Sequence, residues 1–89
     1  MIKIIKTDST EQEFKPADKK ISLKEMQEIV GGYIEIVPLN NDKLFVCNEE
    51  GKIKGLPYNS KASEYFEKHT GHYDKIAGDV IIADTWEID

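Results

Sequence analysis

Apolar positions recur along this chain at two spacings, and the switches between them mark out the elements. Ile2, Ile4 and Ile5 in the opening MIKIIK suit a short strand. A second run, Glu13 to Lys15, can pair with it across the polar turn Asp8–Gln12, and Pro16 confines that run to a sheet edge or ends it. The spacing then becomes helical. Leu23, Met26 and Val30 share one face with Ile29 beside them, while Lys24, Gln27 and Glu28 point away. Ser22 and Glu25 stand in capping-box register, where hydroxyl and carboxylate each satisfy a free backbone N–H at the helix start. Gly31 follows where the chain must turn left-handed to leave the helix.

From Tyr33 the pattern alternates. Ile34 and Ile36 fall on one side and Tyr33, Glu35 and Val37 on the other, so Tyr33–Val37 is expected to be a strand. Asn40–Asn41–Asp42 has turn chemistry, and Lys43–Asn48 is the returning strand. A further turn, Asn48–Gly51, is expected to lead into a short strand around Ile53 that completes an antiparallel meander and sets Lys52 and Lys54 on one face. Asn59 or Ser60 caps a second helix in which Ala62, Tyr65, Phe66 and His69 form a stripe ended by Gly71. The last strand, Asp79–Ala83, is apolar at successive positions and belongs in the sheet interior. The expectation is an α+β fold: one small domain, a mainly antiparallel sheet and one or two short helices. Leu23, Met26, Val30, Ile34, Ile36, Leu44, Val46 and Ile82 are expected in its core.

At 89 residues there is room for one domain and a thin core, since a chain this short buries only roughly 60–65% of its unfolded surface. A hydrophobic fraction of 39% and a charged fraction of 33% fit a soluble globular protein. No apolar run is long enough to span a bilayer, and the N-terminus is too short and charged for a signal peptide, so a cytoplasmic location is expected. The 12 basic residues are all lysine. Without the planar arginine fork, sequence-specific DNA binding is disfavoured. The net charge of −5 gathers towards the C-terminus, where Asp74, Asp79, Asp84, Glu87 and Asp89 face a single base, Lys75.

Candidate chemistry is sparse. His69 and His72 have a spacing that can ligate a metal, with Asp74 near, but Gly71 breaks the helix that would hold them, so no metal site is assigned. Cys47 could pair with a histidine as a nucleophile, yet inside a strand a free cysteine more often serves as a small hydrophobe. Glu49–Glu50–Gly51 lacks calcium-loop spacing and reads as a turn with solvated acids. Neither Gly31–Gly32 nor the run from Gly51 to Gly55 matches a phosphate loop. No catalytic residue and no cofactor are assigned. Lys52 and Lys54, close to Tyr58 and Asn59, could hold an anionic planar ligand such as a nucleotide; a solvated lysine-protected edge is the plainer reading.

The words Val30-Gly31-Gly32-Tyr33-Ile34-Glu35, Asn48-Glu49-Glu50-Gly51-Lys52 and Gly55-Leu56-Pro57-Tyr58-Asn59 resemble the small bacterial and phage proteins grouped as domain of unknown function 3846. The likeness runs from the N-terminus to Asn59 and resumes at Gly78-Asp79-Val80-Ile81-Ile82, which leaves 60–75 as a possible helical insertion. The resemblance implies a compact domain carried on phages or mobile elements, and no reaction.

The expected function is therefore a non-enzymatic binding protein of phage or mobile-element type, directed at a host protein, with inhibition of a defence factor as one role it would suit. The alternative is a protein that binds or sequesters a small anionic ligand such as a nucleotide signal. The expected binding surface comprises Tyr33, Glu35, Asn48, Glu49, Lys52, Lys54, Tyr58 and Asn59. The acidic C-terminal stretch is the rival surface, as a duplex mimic. Short strands and a thin core also suggest a homodimer, through a sheet edge or a Tyr65–Phe66 face.

Overall fold

The computed structural model describes residues 1–40 and 42–88. Asn41 of the expected turn and Asp89 of the acidic stretch lie outside the described residues. The elements run β1 (Ile2–Ile5), β2 (Glu11–Phe14), α1 (Leu23–Val30), β3 (Ile34–Pro38), β4 (Lys43–Asn48), α2 (Ser60–Thr70) and β5 (Val80–Asp84), followed by a single 3-10 turn at Thr85–Glu87. The strands form one antiparallel sheet in the order β2-β1-β5-β4-β3. The fold is α+β.

The final strand lies in the middle. β5 pairs with β1 through Ile4↔Ile81 and with β4 through Phe45↔Ile82. Consecutive strand residues point to opposite faces, and the run Val80, Ile81, Ile82, Ala83 is buried throughout. It therefore supplies both sides of the sheet. Ile81 and Ala83 join Ile2, Val46, Met26 and Val30 beneath α1. Val80 and Ile82 join Ile5, Phe45, Cys47 and Ala62 beneath α2. The two helices thus cover opposite faces.

α1 is determined locally. The Ser22 hydroxyl accepts from the Glu25 N–H at 3.1 Å, the Glu25 carboxylate accepts from the Ser22 N–H at 3.0 Å, and Gly31 closes the helix at φ 82°. Met26 and Val30 are buried as expected, but Leu23, at the open first turn, is 54% exposed. Ile36 is also a correction, at 41% exposed, because β3 is an edge strand that α1 only partly overlaps. Ile34 and Leu44 are half-buried, whereas Val46 and Ile82 are fully inside.

The expected strand around Ile53 does not form. Glu49–Gly55 is a succession of turns closed by Lys54 N–H to the Glu50 carbonyl (2.9 Å) and Leu56 N–H to the Gly51 carbonyl (3.0 Å), and Ile53 is 86% exposed. β5 takes the place beside β4 that the meander assigned to it. The 60–75 segment carries α2, which packs into the core: Ala62 and Ser63 are buried, and the Phe66 ring meets Phe45 edge-on with centroids 5.1 Å apart. That contact turns Phe66 inward, and Tyr65 and Phe66 are both half-buried against the α2-side core.

Candidate functional site

Asn59 organises the approach to the site. Fully buried, it caps α2 by accepting the Ala62 N–H at 3.0 Å, while its amide donates to the carbonyls of Ile5 and Gly78, each at 2.9 Å. Ser63, one turn on, donates to the Asn59 carbonyl at 2.8 Å and accepts the Ile76 N–H at 2.9 Å. This buried network binds α2 to the segment leading into β5. These buried polar groups are hydrogen-bonded, as burial demands. Tyr58 then bridges Ala77, and Gly78 donates to the Pro57 carbonyl at 2.8 Å. Gly51 completes the junction: a Cβ there would lie 2.9 Å from the Ala77 carbonyl oxygen, so only glycine permits this approach of the two loops.

The loops 49–58 and 72–77 are consequently held side by side at one end of the sheet. Between them lies a cavity of about 230 Å³ lined by Glu35, Cys47, Glu49, Lys52, Asp74 and Lys75, among others. A second recess of about 360 Å³ shares Lys52 and Lys75 and adds Leu56 and Tyr58. The Lys52 ammonium donates to the Asp74 carboxylate at 2.6 Å. The Tyr58 and Tyr73 hydroxyls are 3.0 Å apart, and the Lys75 ammonium stands 5.6 Å from the centre of the Tyr58 ring. The hydrogen bond to Tyr58 holds the Tyr73 phenol above its usual range, so it stays protonated. Ile53, Tyr58 and Tyr73 are all exposed among these charges.

Of the expected surface residues, Glu35, Asn48, Glu49, Lys52 and Tyr58 line these two recesses. Asn59 is a correction, and Asn48 is largely taken up by the fold. Asn48 is 6% exposed: its amide donates to the Val30 carbonyl at 3.0 Å and its oxygen accepts the Glu50 N–H at 2.8 Å, so it ties the end of α1 to the turn. Asn59 is engaged as described and is sealed from any ligand. Tyr33 and Lys54 lie apart, around a recess shared with Gln27 and Gly32. Lys54 does not project beside Lys52 from a strand; it reaches back towards Glu50 within the turn, at 3.7 Å. Tyr73, Asp74 and Lys75 were missed as a binding group. Their signal was an aromatic flanked by both charge signs just after a helix-ending glycine, in a segment set aside as an insertion.

Cys47 sits at the cavity floor with its thiol pushed up to about 11, first by burial and then by the charges of Glu35 and Asp74. A thiol so held is a poor nucleophile at neutral pH. The His69 ring packs on Tyr65 at 4.1 Å. Among the described residues no group of three or more His, Cys, Asp or Glu side chains is placed to hold a metal ion.

The acidic stretch does not present a row of free charges. Asp84 accepts from the Lys43 ammonium at 2.8 Å, which holds its carboxyl below the usual range, and Glu87 is 6% exposed and accepts the Asp84 N–H at 2.8 Å. Asp74 is paired with Lys52, and Asp79 accepts the Thr7 N–H at 3.0 Å. The described carboxylates are spent on internal contacts that a duplex mimic would need to keep open.

The chain belongs to the family described as Domain of unknown function (DUF3846), which matches residues 2–88 and so includes α2 and the segment expected to be inserted. No curated protein and no solved structure matches the chain. No described helix is long and apolar enough to cross a membrane.

Proposed function

We propose that this chain is a non-enzymatic binding protein that engages another protein through the paired loops 49–58 and 72–77. The observation that carries this reading is the Tyr58–Tyr73 pair with Lys75 beside it, presented on loops that a buried network holds rigid. Exposed aromatic side chains with an apolar neighbour, Ile53, inside a rim of Lys52, Asp74 and Lys75 have the composition of a protein-recognition patch. Loops fixed before contact lose little entropy on binding. The buried, protonated thiol of Cys47 disfavours thiolate chemistry at this cavity. The partner class of this reading is a protein of the host in which a phage or mobile element resides.

A second reading rests on Lys75 over Tyr58 beside the 360 Å³ recess, where a small planar anion could lie on the ring and between Lys52 and Lys75.

Affinity capture from host extract with the parent and with a Tyr58→Ala/Tyr73→Ala variant tests the first reading. Both side chains are exposed, so the variant is expected to fold, and it should lose the protein that the parent retains. Retention of the same protein by both would refute the patch. A thermal-shift panel of nucleotides tests the second, since a ligand at 100 times its dissociation constant stabilises by ~2.7 kcal/mol. A shift abolished by Lys75→Ala and Lys52→Ala would favour the small ligand over the protein partner.

A further inference from the structure

We infer that the β3 edge of the sheet pairs with the same edge of a second copy, in an antiparallel register centred on Ile36. The two edges of this sheet are built differently. β2 carries Glu11, Gln12 and Glu13, and Lys3 and Lys61 both reach Glu11, at 2.9 and 2.7 Å. Charge of this kind discourages another strand from adding. β3 reads Ile-Glu-Ile-Val-Pro, with Glu35 its one charge and Ile36 41% exposed.

The β3–β4 register determines what the open edge offers. Tyr33 accepts from the Glu49 N–H and Leu39 donates to the Lys43 carbonyl, so 33, 35, 37 and 39 are the positions bonded to β4. Ile34, Ile36 and Pro38 therefore turn their backbone groups outwards. Pro38 has no N–H, so the outward row ends there without an unsatisfied donor.

A second copy is the occupant this row fits along its whole length. When β3 lies antiparallel to itself over Ile34–Pro38, the two Ile36 residues exchange both backbone bonds and the Ile34 N–H meets the Pro38 carbonyl of the other copy. The side chains agree with this register. Glu35 falls opposite Val37 of the second copy, whereas a two-fold centred on Glu35 would set the two carboxylates directly opposite, which is unfavourable. The exposed Ile36 side chains come together on the α1 face. On the α2 face, Val37 of the second copy stands against the Glu35 that lines the 230 Å³ cavity, so that cavity gains a wall. Pairing consumes the β3 edge of both copies, and the charged β2 edges stop further growth, so the assembly closes at two. A single strand pair buries a small area and places this dimer in the weak, concentration-dependent class. The inference is independent of the proposed partner patch.

Sedimentation equilibrium of the parent across a wide concentration range should show the mass doubling as concentration rises. Ile36→Lys places two ammonium groups at the two-fold and should remain at single-chain mass. Glu13→Lys, on the opposite edge, should dimerise like the parent. Because a variant can fail to fold, amide exchange in the parent supplies a second readout: the Ile34 and Ile36 N–H groups should exchange more slowly as concentration rises, while that of Val37, already bonded to β4, should not change. A parent that stays at single-chain mass at millimolar concentration, exchange at Ile34 and Ile36 independent of concentration, or a folded Ile36→Lys variant that still dimerises would each overturn the inference. Protection that appears only when a foreign extended peptide is added would also overturn it, by giving the edge to a different strand.

Discussion

The two faces of the sheet are covered by helices of similar kind but held by different forces. Beneath α1 the contact is mainly apolar: Met26, Val30, Val46 and Ile81 interlock, the helix is capped within its own sequence by Ser22, Glu25 and Gly31, and one buried bond from the Asn48 amide to the Val30 carbonyl ties down its end. Beneath α2 the apolar cluster of Phe45, Phe66, Ala62 and Ile82 is joined by the buried Asn59–Ser63 network, whose partners lie far away in the chain, at Ile5, Ile76 and Gly78. An apolar face obtains stability from area; a polar face adds direction, because each hydrogen bond is satisfied in only one arrangement. The candidate site lies on the polar side. Its loops need a fixed relative position more than they need extra burial.

The largest effect is expected beneath α1. Met26→Asp places an unpaired carboxylate under α1, at a cost of about 3–5 kcal/mol, against a typical total of roughly 5–15 kcal/mol. The variant should be unfolded or melt far below the parent in a circular-dichroism scan. A melting curve matching the parent's would show that the α1 face is wrongly assigned.

On the polar side, Asn59→Ala removes the α2 cap and leaves the Ile5 and Gly78 carbonyls buried without their donor. The expected loss is about 3 kcal/mol in urea denaturation. The change should also be felt locally, with faster amide exchange at Ile76 and Gly78 than in α1. Uniform exchange across both helices would mean that the network does not hold the loops.

The smallest effect sharpens the contrast at the cavity floor. The Cys47 thiol is raised from near 9 to about 11. A raised thiol pKa means that the fold favours the neutral form. This contribution is complete below the ordinary thiol range and is lost as pH climbs through the folded value. The stability difference between the parent and Cys47→Ala should therefore shift against the parent between about pH 9 and 11, with alkylation of Cys47 slow at pH 8. Fast alkylation of the folded protein at pH 8 would contradict the burial.

Local patterns carried most of the elements. The capping box and Gly31 place α1, the alternation Ile34–Glu35–Ile36 places β3, and Asn59 before a stripe ending at Gly71 places α2. The resemblance noted in the sequence is confirmed as family membership. The failures have a common physical origin. Leu23 shares the helical face of Met26, yet whether the first turn is covered depends on what packs there, and nothing does so fully. Ile53 sits in a strand-like run, but β4 had only one open side, and β5 occupies it.

The same distinction governs the site. Residue type alone identified Lys52 and Tyr58 as surface candidates, because a lysine and a tyrosine beside glycine and proline belong on a loop. It could not separate Tyr58 from Asn59 next to it, one exposed and the other sealed in the core. It also could not join Lys52 to Asp74 or Tyr58 to Tyr73, since those contacts span 22 and 15 residues of sequence. The sequence by itself determined the helices, their caps and the alternating strands, because each depends on neighbours within about one turn or one strand. Only the tertiary structure decided strand order, the two unequal edges and the convergence of the loops, because these follow from β5 entering the sheet between two hairpins formed far earlier in the chain.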